Sequence, residues 1–391
     1  MNQTIFDLAK KNLPEMVRAR RHFHENPELA HEEYQTQAYV INVLNELGIP
    51  NYKLADTGVV GLIEGAHPGK TVLLRADMDA LPVEESADVP YASKVEGLMH
   101  ACGHDGHTAG LLGTAMILSE MKGQIHGNVK LMFQPAEETD GGALPMIQEG
   151  LLENPKVDAA FGLHLGGHVP FGKIEVRYGA MYGAPDEFEI LIRGVGGHAA
   201  SPHQTIDPIS LAVQFISNAQ MILTRRIDPV KPALISFTKI QAGEGLNVIP
   251  ETCVVGGTIR TLFPETRNAV SEMLEACLKS ICDVNGAQYD FEYFPSYPPL
   301  INNDAMTKLA ESAFINAFGQ EEVVQQPHPS LGAEDFAYLA EAVPSSYYNV
   351  GIWEEGKKEP VHHHPSFEWN DDVLETTSAS LAIVALEYLN Q

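Results

Sequence analysis

The chain has 391 residues, 44% of them hydrophobic, the make-up of a water-soluble globular protein and a length that suits two domains better than one. Acidic residues outnumber basic ones 52 to 25, and a formal charge of -27 repels phosphate backbones and anionic lipid, so nucleic acid and membrane surfaces are disfavoured as partners. No stretch approaches the roughly twenty uninterrupted apolar residues that cross a bilayer, and the polar start MNQTIFDLAKKNLPE lacks the apolar centre of a secretory signal, so the cytoplasm is the expected location.

Apolar spacing predicts helices over residues 2–24 and 33–47, the second closed by Gly48. VVGLIEG and TVLLRAD are short β-branched runs that read as strands. A glycine-rich segment, MHACGHDGH from Met99 to His107, leads into a helix over 107–122, and NVKLMFQ and VDAAFGL follow as buried strands. Such alternation predicts an α/β domain with a doubly wound, mostly parallel sheet and helices on both faces. After residue 182 the order changes. DEFEILIRG is an alternating strand, 207–224 a helix, ALISFTKIQ and TCVVGGTIRT two strands, 265–285 a helix and QYDFEYF a last strand. This βαββαβ order is that of a ferredoxin-like module. From 303 onward the chain returns to a helix (AMTKLAESAFINAF), a strand (SSYYNVG) and a closing helix from Val373 to Leu389, so the module reads as an insert. The expected domains are 1–182 with 295–391, and 183–294, with GAMYGAP and PSYPPL at the crossings.

Within MHACGHDGH, glycines at Gly103 and Gly106 let the backbone turn a thiol, Cys102, and an imidazole, His104, inward. Thiolate and imidazole suit a borderline-soft divalent ion, and donors one residue apart need a loop to converge on it. The four cysteines, Cys102, Cys253, Cys277 and Cys282, lack paired spacing, so no disulfide framework is expected. Further polar groups follow predicted strands: Asp77 and Asp79 after TVLLRA, Glu137 and Glu138 in FQPAEE, and His164 in FGLH. Strand C-terminal ends are where open α/β sheets bind ligands. A triple His362, His363, His364 precedes Pro365. Taken singly, each group has a plainer reading: a buried free thiol, an Asp capping a turn, a pair of solvated glutamates at a helix start.

Taken together, HACGHDGH, RADMDALP, PAEE, GGHAASPH, GLNVIP, GTIRT and HHHPSF, in this order over nearly the whole chain, resemble the metal-dependent aminoacylase and carboxypeptidase family of amidohydrolases. The nearest branch is that of hippurate hydrolases, indoleacetyl-amino-acid hydrolases and N-acetyl-diaminopimelate deacetylases. The resemblance implies a catalytic domain with two divalent metal ions per subunit and an inserted lid that also mediates dimerisation. It implies cleavage of the amide between an acyl group and an amino acid. By the same resemblance the metal ligands are Cys102, His104, Glu138, His164 and His363, Glu137 is the general base, and Asp79 orients a ligand or a bound water. Where the wider family reads His-x-Asp, this chain has Asp77, so Cys102 is expected to supply the missing ligand and Asp77 to stay outside the coordination sphere. His100 and Asp105 receive no firm role, and His362 and His364 are read as neighbours of the ligand.

In the insert, the resemblance implies that His198 reaches across the dimer contact to stabilise the oxyanion in the partner's site. Asn247 would hold substrate, and Arg260 would clamp the carboxylate of the amino-acid half. The donors suit manganese or zinc, with cobalt and nickel also compatible. A homodimer or higher homo-oligomer through the lid, acting on a small N-acyl amino acid, is therefore expected. A dipeptidase or aminopeptidase on the same core would need an acidic group for a free amine, and no residue is assigned to it. A non-catalytic metal-containing binding protein is at odds with the complete donor set beside Glu137. The acyl group and the amino acid stay open.

Overall fold

The computed structural model describes residues 1–391 and divides into two compact units. The larger comprises Met1–Gly179, Ile301–Pro327 and Asp335–Gln391, and the smaller Ala180–Leu300 and His328–Glu334. The divisions thus lie a few residues from 182 and 295, and the short return His328–Glu334 was not anticipated. Backbone pairing explains it: within the smaller unit Gly183 N–H donates to Gly332 O and Ser330 N–H to Met181 O, each at 2.9 Å.

The larger unit is built on one mixed sheet. Its strands run in the order Asn51–Leu54, Gly58–Glu64, His126–Gln134, His67–Asp77, Ala159–Pro170, Ser345–Trp353, Ile174–Val176, Val323–Gln325. The central pairs, from His126–Gln134 through to Ser345–Trp353, are parallel, and the two pairs at the Asn51 edge are antiparallel. The mostly parallel α/β architecture expected from the alternation is present. The short outer strands escaped notice because three or four residues are too few to display a period.

Both faces of this sheet are covered, as its apolar central strands require. On Ser345–Trp353, Tyr347 packs against Phe336 at 4.9 Å between ring centroids, while its neighbour Tyr348 packs against Phe314 at 4.8 Å on the other face. The closing helix Val373–Leu389 is buried almost all round, and no helix is long and apolar enough to cross a membrane. The helix His104–Glu120 lies against it and against Asn2–Glu25. Glycine allows that approach: a β-carbon at Gly110 would stand 2.4 Å from the Thr377 methyl.

The smaller unit is a four-stranded antiparallel sheet in the order Ala233–Ala242, Thr252–Thr261, Ala184–Arg193, Gln288–Phe294, with helices Pro208–Arg225 and Pro264–Asn285 packed on it. This is the βαββαβ arrangement anticipated. Asp207 starts the first helix by accepting from Ile209 N–H at 2.9 Å, with Pro208 at its first position. Inward residues of Ala184–Arg193 (Phe188, Ile190, Ile192) meet Leu211, Phe215, Val270, Leu274 and Leu278 in a separate core.

Candidate metal centre

Backbone geometry places the donors of the larger unit. Gly103, at φ 92°, makes the left-handed turn that starts the helix His104–Glu120, so Cys102 lies in the loop and His104 is the first helical residue. Past the end of His126–Gln134, Ala136 also adopts a left-handed conformation, φ 57°, and its N–H is held by the buried Glu33 carboxylate at 2.8 Å. Glu137 and Glu138 follow this kink beyond the C-terminal end of the strand. His363, at φ 61°, donates its N–H to Ala101 O at 2.8 Å and so ties the C-terminal loop to the cysteine loop. His164 departs from the sequence expectation of a strand end. It sits inside Ala159–Pro170, because pairing with Ser345–Trp353 continues past it, Asn349 opposite His164.

These four segments bring Cys102, His104, Glu138, His164 and His363 together. Cys102, His104 and His164 have donor atoms within 4.8 Å of one another, as do Cys102, Glu138 and His363, so the thiol belongs to both groups. Cys102 Sγ lies 3.4 Å from His164 Nε2. Glu138 Oε1 lies 3.2 Å from His363 Nε2, close enough for an ion pair but misaligned for a hydrogen bond, and 3.8 Å from His104 Nε2. His104 Nε2 and Glu138 Oε1 are both buried without a hydrogen-bond partner. Glu137 lines the same space with His104 and Glu138.

The electrostatics favour a cation. Burial would lower the pKa of His104, yet Asp77, Asp79 and Glu138 raise it to about 10, as a strongly negative surrounding does. Burial, reinforced by Glu138 and Glu137, pushes the Cys102 thiol up, so a thiolate needs positive charge beside it. Burial also drives His164 well below the ordinary imidazole range, leaving the neutral ring that metal coordination uses. Two partnerless buried atoms, a thiol shared between two donor groups and a surplus of carboxylates fit a divalent-ion site.

Around these donors stands a ring of orienting groups. Asp79 receives His104 Nδ1 at 3.2 Å on one oxygen and Glu138 N–H at 2.9 Å on the other, so one carboxylate aims both donors. Asp77 is engaged by Arg75 Nη1 at 2.7 Å and His107 Nδ1 at 2.6 Å. His107 was overlooked in the sequence, although its spacing of three from His104 on a helix puts both on one face. Beneath the loop, buried Asp105 accepts from Arg20 Nε and His24 Nδ1, both at 2.8 Å, and His24 Nε2 reaches Glu85 at 3.1 Å. With a carboxylate at each nitrogen, His24 is held as the doubly protonated ring.

His198, Asn247 and Arg260 lie in the smaller unit. The two-residue pairing of Gly197–His198 with Val248–Ile249 brings His198 beside the Asn247 turn, and Ala199 N–H donates to Asn247 O at 3.0 Å. Ala200 N–H donates to His198 Nδ1 at 3.0 Å, so the neutral ring carries its proton on Nε2. Arg260, near the end of Thr252–Thr261, has Nη1 buried with no hydrogen-bond partner.

Residues 73–387 match the profile of peptidase family M20/M25/M40. The chain belongs to this family. N-acetylcysteine deacetylase of Bacillus subtilis (strain 168) is 39% identical over 380 residues, covering 95% of this chain and 97% of the relative. IAA-amino acid hydrolase ILR1-like 2 of Arabidopsis thaliana is 39% identical over 382 residues, covering 96% of this chain and 85% of the relative. Among solved structures, the Bacillus subtilis YXEP protein, described as a dinuclear metal-binding peptidase of the M20 family, superposes with a TM-score of 0.86 at 36% identity, covering 97% of this chain and 99% of that one. This M20 chain is thus a hydrolase of a family with dinuclear metal binding.

The support beneath the cysteine loop is sensitive to pH. Burial opposes charge on His24, but its hydrogen bonds to the Asp105 and Glu85 carboxylates outweigh it and raise the pKa from 6.5 to about 9. A folded-state value above the unfolded one means that the stabilisation is complete below pH 6.5 and lost as pH climbs through about 9. The difference in unfolding free energy between native protein and His24→Gln should therefore be largest in mildly acidic buffer and shrink across this window. Denaturant melts at several pH values test this, and a pH-independent difference would refute it.

Proposed function

We propose that this protein is a dinuclear metal-dependent amidohydrolase that releases amino acids from N-acyl amino acids such as N-acetyl or N-benzoyl derivatives. The observation that carries the reading is the convergence of Cys102, His104, Glu138, His164 and His363 on one negative space, buried except on the side of the exposed His363, with Glu137 beside it. The names of the deacetylase and the IAA-amino acid hydrolase, relatives that match over nearly the whole of this chain, point to the same substrate class.

When bound, the divalent ions lower the pKa of water toward neutrality and polarise the amide carbonyl. Manganese or zinc suits this mixed donor set, with cobalt and nickel compatible. Glu137 takes the proton of the attacking water and passes it to the departing amide nitrogen, so one carboxylate serves as base and then as acid. Asp79 keeps His104 and Glu138 aimed while charge moves. His198 offers Nε2–H to the oxygen that becomes negative on the attacked carbonyl, and the hydrogen bond from Ala200 N–H favours that tautomer. The partnerless Nη1 of Arg260 receives the free carboxylate of the amino-acid half, and Asn247 holds the substrate near His198.

We assign the His198 contribution to the second subunit of a homodimer. Its pairing surface would be the edge strand Ala233–Ala242 with exposed Leu234 and Ile240, together with exposed Ile209, Val213 and Met221 at helical spacing on Pro208–Arg225.

Glu137→Gln should retain its metal and lose turnover by about 10²- to 10⁴-fold, the range of lost acid–base assistance, whereas Glu138→Gln should lose metal too. Elemental analysis with ninhydrin detection on N-acyl amino acids against unblocked dipeptides separates the roles; equal metal loss in both variants, or preference for dipeptides, contradicts the assignment. Amidating the substrate carboxylate should depress kcat/KM strongly in native enzyme and little in Arg260→Ala; additive effects would mean that the two groups do not meet. Mixing inactive His198→Ala and Glu137→Gln chains should restore about a quarter of native activity, because about half the dimers are mixed and each holds one intact site. Failure after verified subunit exchange would place His198 in its own chain's site or outside catalysis.

A further inference from the structure

We infer that His107 is a positioning residue: held by Asp77, it sets the orientation of His164 through the backbone of Leu165. This rests on the metal-centre reading proposed above and goes beyond it, since His107 is not among the ligands or catalytic groups.

The starting point is a break in the sheet. The strand Ala159–Pro170 pairs with His67–Asp77 only as far as Gly162, opposite Arg75. Pairing on its other side, with Ser345–Trp353, runs on past Leu165. Backbone groups beyond Gly162 therefore lose a strand neighbour on the Asp77 side, and buried backbone polar groups demand partners. Histidines supply them. Leu165 N–H donates to His107 Nε2 at 3.0 Å, and Leu165 O accepts from His164 Nδ1 at 3.0 Å and from His362 Nε2 at 2.8 Å.

Hydrogen-bond polarity then fixes every proton in the chain. A backbone N–H only donates, so His107 Nε2 is bare and its proton sits on Nδ1, donated to Asp77 Oδ1 at 2.6 Å. Asp77 is locked by Arg75 Nη1 at 2.7 Å. A carbonyl only accepts, so His164 carries its proton on Nδ1, which leaves Nε2 bare, 3.4 Å from Cys102 Sγ. The relay Arg75–Asp77–His107–Leu165–His164 thus ends at a lone pair aimed at the proposed metal donors. It also gives Asp77 a task from outside the coordination sphere. His362 braces the same carbonyl and packs at a tilt against Phe367, 4.9 Å between ring centroids, which ties the relay to the C-terminal loop.

Two variants and two spectroscopic measurements test this. Metal-stripped full-length chain is titrated with Co²⁺, whose thiolate charge-transfer absorption reports binding beside Cys102. In His107→Leu, Leu165 N–H has no acceptor, and one of the two cobalt equivalents should bind about 10- to 100-fold more weakly, the usual effect of removing an orienting partner. His107→Gln keeps an acceptor for that N–H and should bind as native. Independently, long-range ¹H–¹⁵N correlation on histidine-labelled, metal-free native protein should show His107 as the Nδ1–H tautomer, its signal assigned by its loss in His107→Gln. Native-like cobalt binding by His107→Leu, equal weakening in both variants, or an Nε2–H or doubly protonated His107 would each overturn the proposal. If His107→Leu does not fold, His107→Gln affinity and the tautomer decide. A native chain that takes up no cobalt refutes the metal reading instead, and the tautomer, read without metal, still judges the relay.

Discussion

A buried surplus of negative and electron-pair-donating groups organises the larger unit. Cys102, Glu137, Glu138, Asp77 and Asp79 stand around His104, with only Arg75 as a fixed cation near Asp77. Burying such charge without compensation costs several kcal/mol per group, so the arrangement is stable only with protons taken up by the histidines or with metal ions in their place. The raised pKa values of His104 and Cys102 are the proton-bound alternative. Metal binding and proton release are therefore two sides of one equilibrium.

That constraint explains why the surrounding backbone is held so tightly. Ala136 and His363 occupy left-handed conformations that ordinary residues avoid, each pinned by a hydrogen bond of 2.8 Å. Asp79 grips two donors, and Arg20, Asp105 and His24 form a charged, hydrogen-bonded floor under the cysteine loop. Metal donors must be held to within about 0.5 Å of their working positions, and these fixings supply that accuracy to the candidate donors.

In the proposed reaction the two units divide the chemistry by residue type. The thiol, carboxylates and imidazoles suited to metal are all in the larger unit. The smaller unit carries His198, Asn247 and Arg260, neutral or cationic groups suited to the oxyanion and carboxylate of a substrate. The apolar edge of its sheet and helix gives this unit a second task in the proposed dimer.

Composition and periodicity determined the strand–helix alternation of the larger unit, the βαββαβ order of the smaller, and the series of Cys, His and Glu motifs in the segments between and within the larger unit's strands. These are local properties: apolar spacing records which face of an element is buried, and glycine records where the chain turns. By resemblance the ordered motifs also pointed to Cys102, His104, Glu138, His164 and His363 as candidate donors, residues that the structure brings together. What spacing could not convey was contact between segments distant in the chain. His107 facing Leu165, Glu33 holding Ala136, and His328–Glu334 pairing back onto the smaller unit each join residues between 58 and about 150 positions apart. Nor could spacing show that His164 lies inside its strand, since that strand extends only because Ser345–Trp353 continues to pair with it. Tertiary structure decided these points because hydrogen-bond partners for a broken sheet edge and a strained turn are chosen by proximity in space, which no single segment of sequence records.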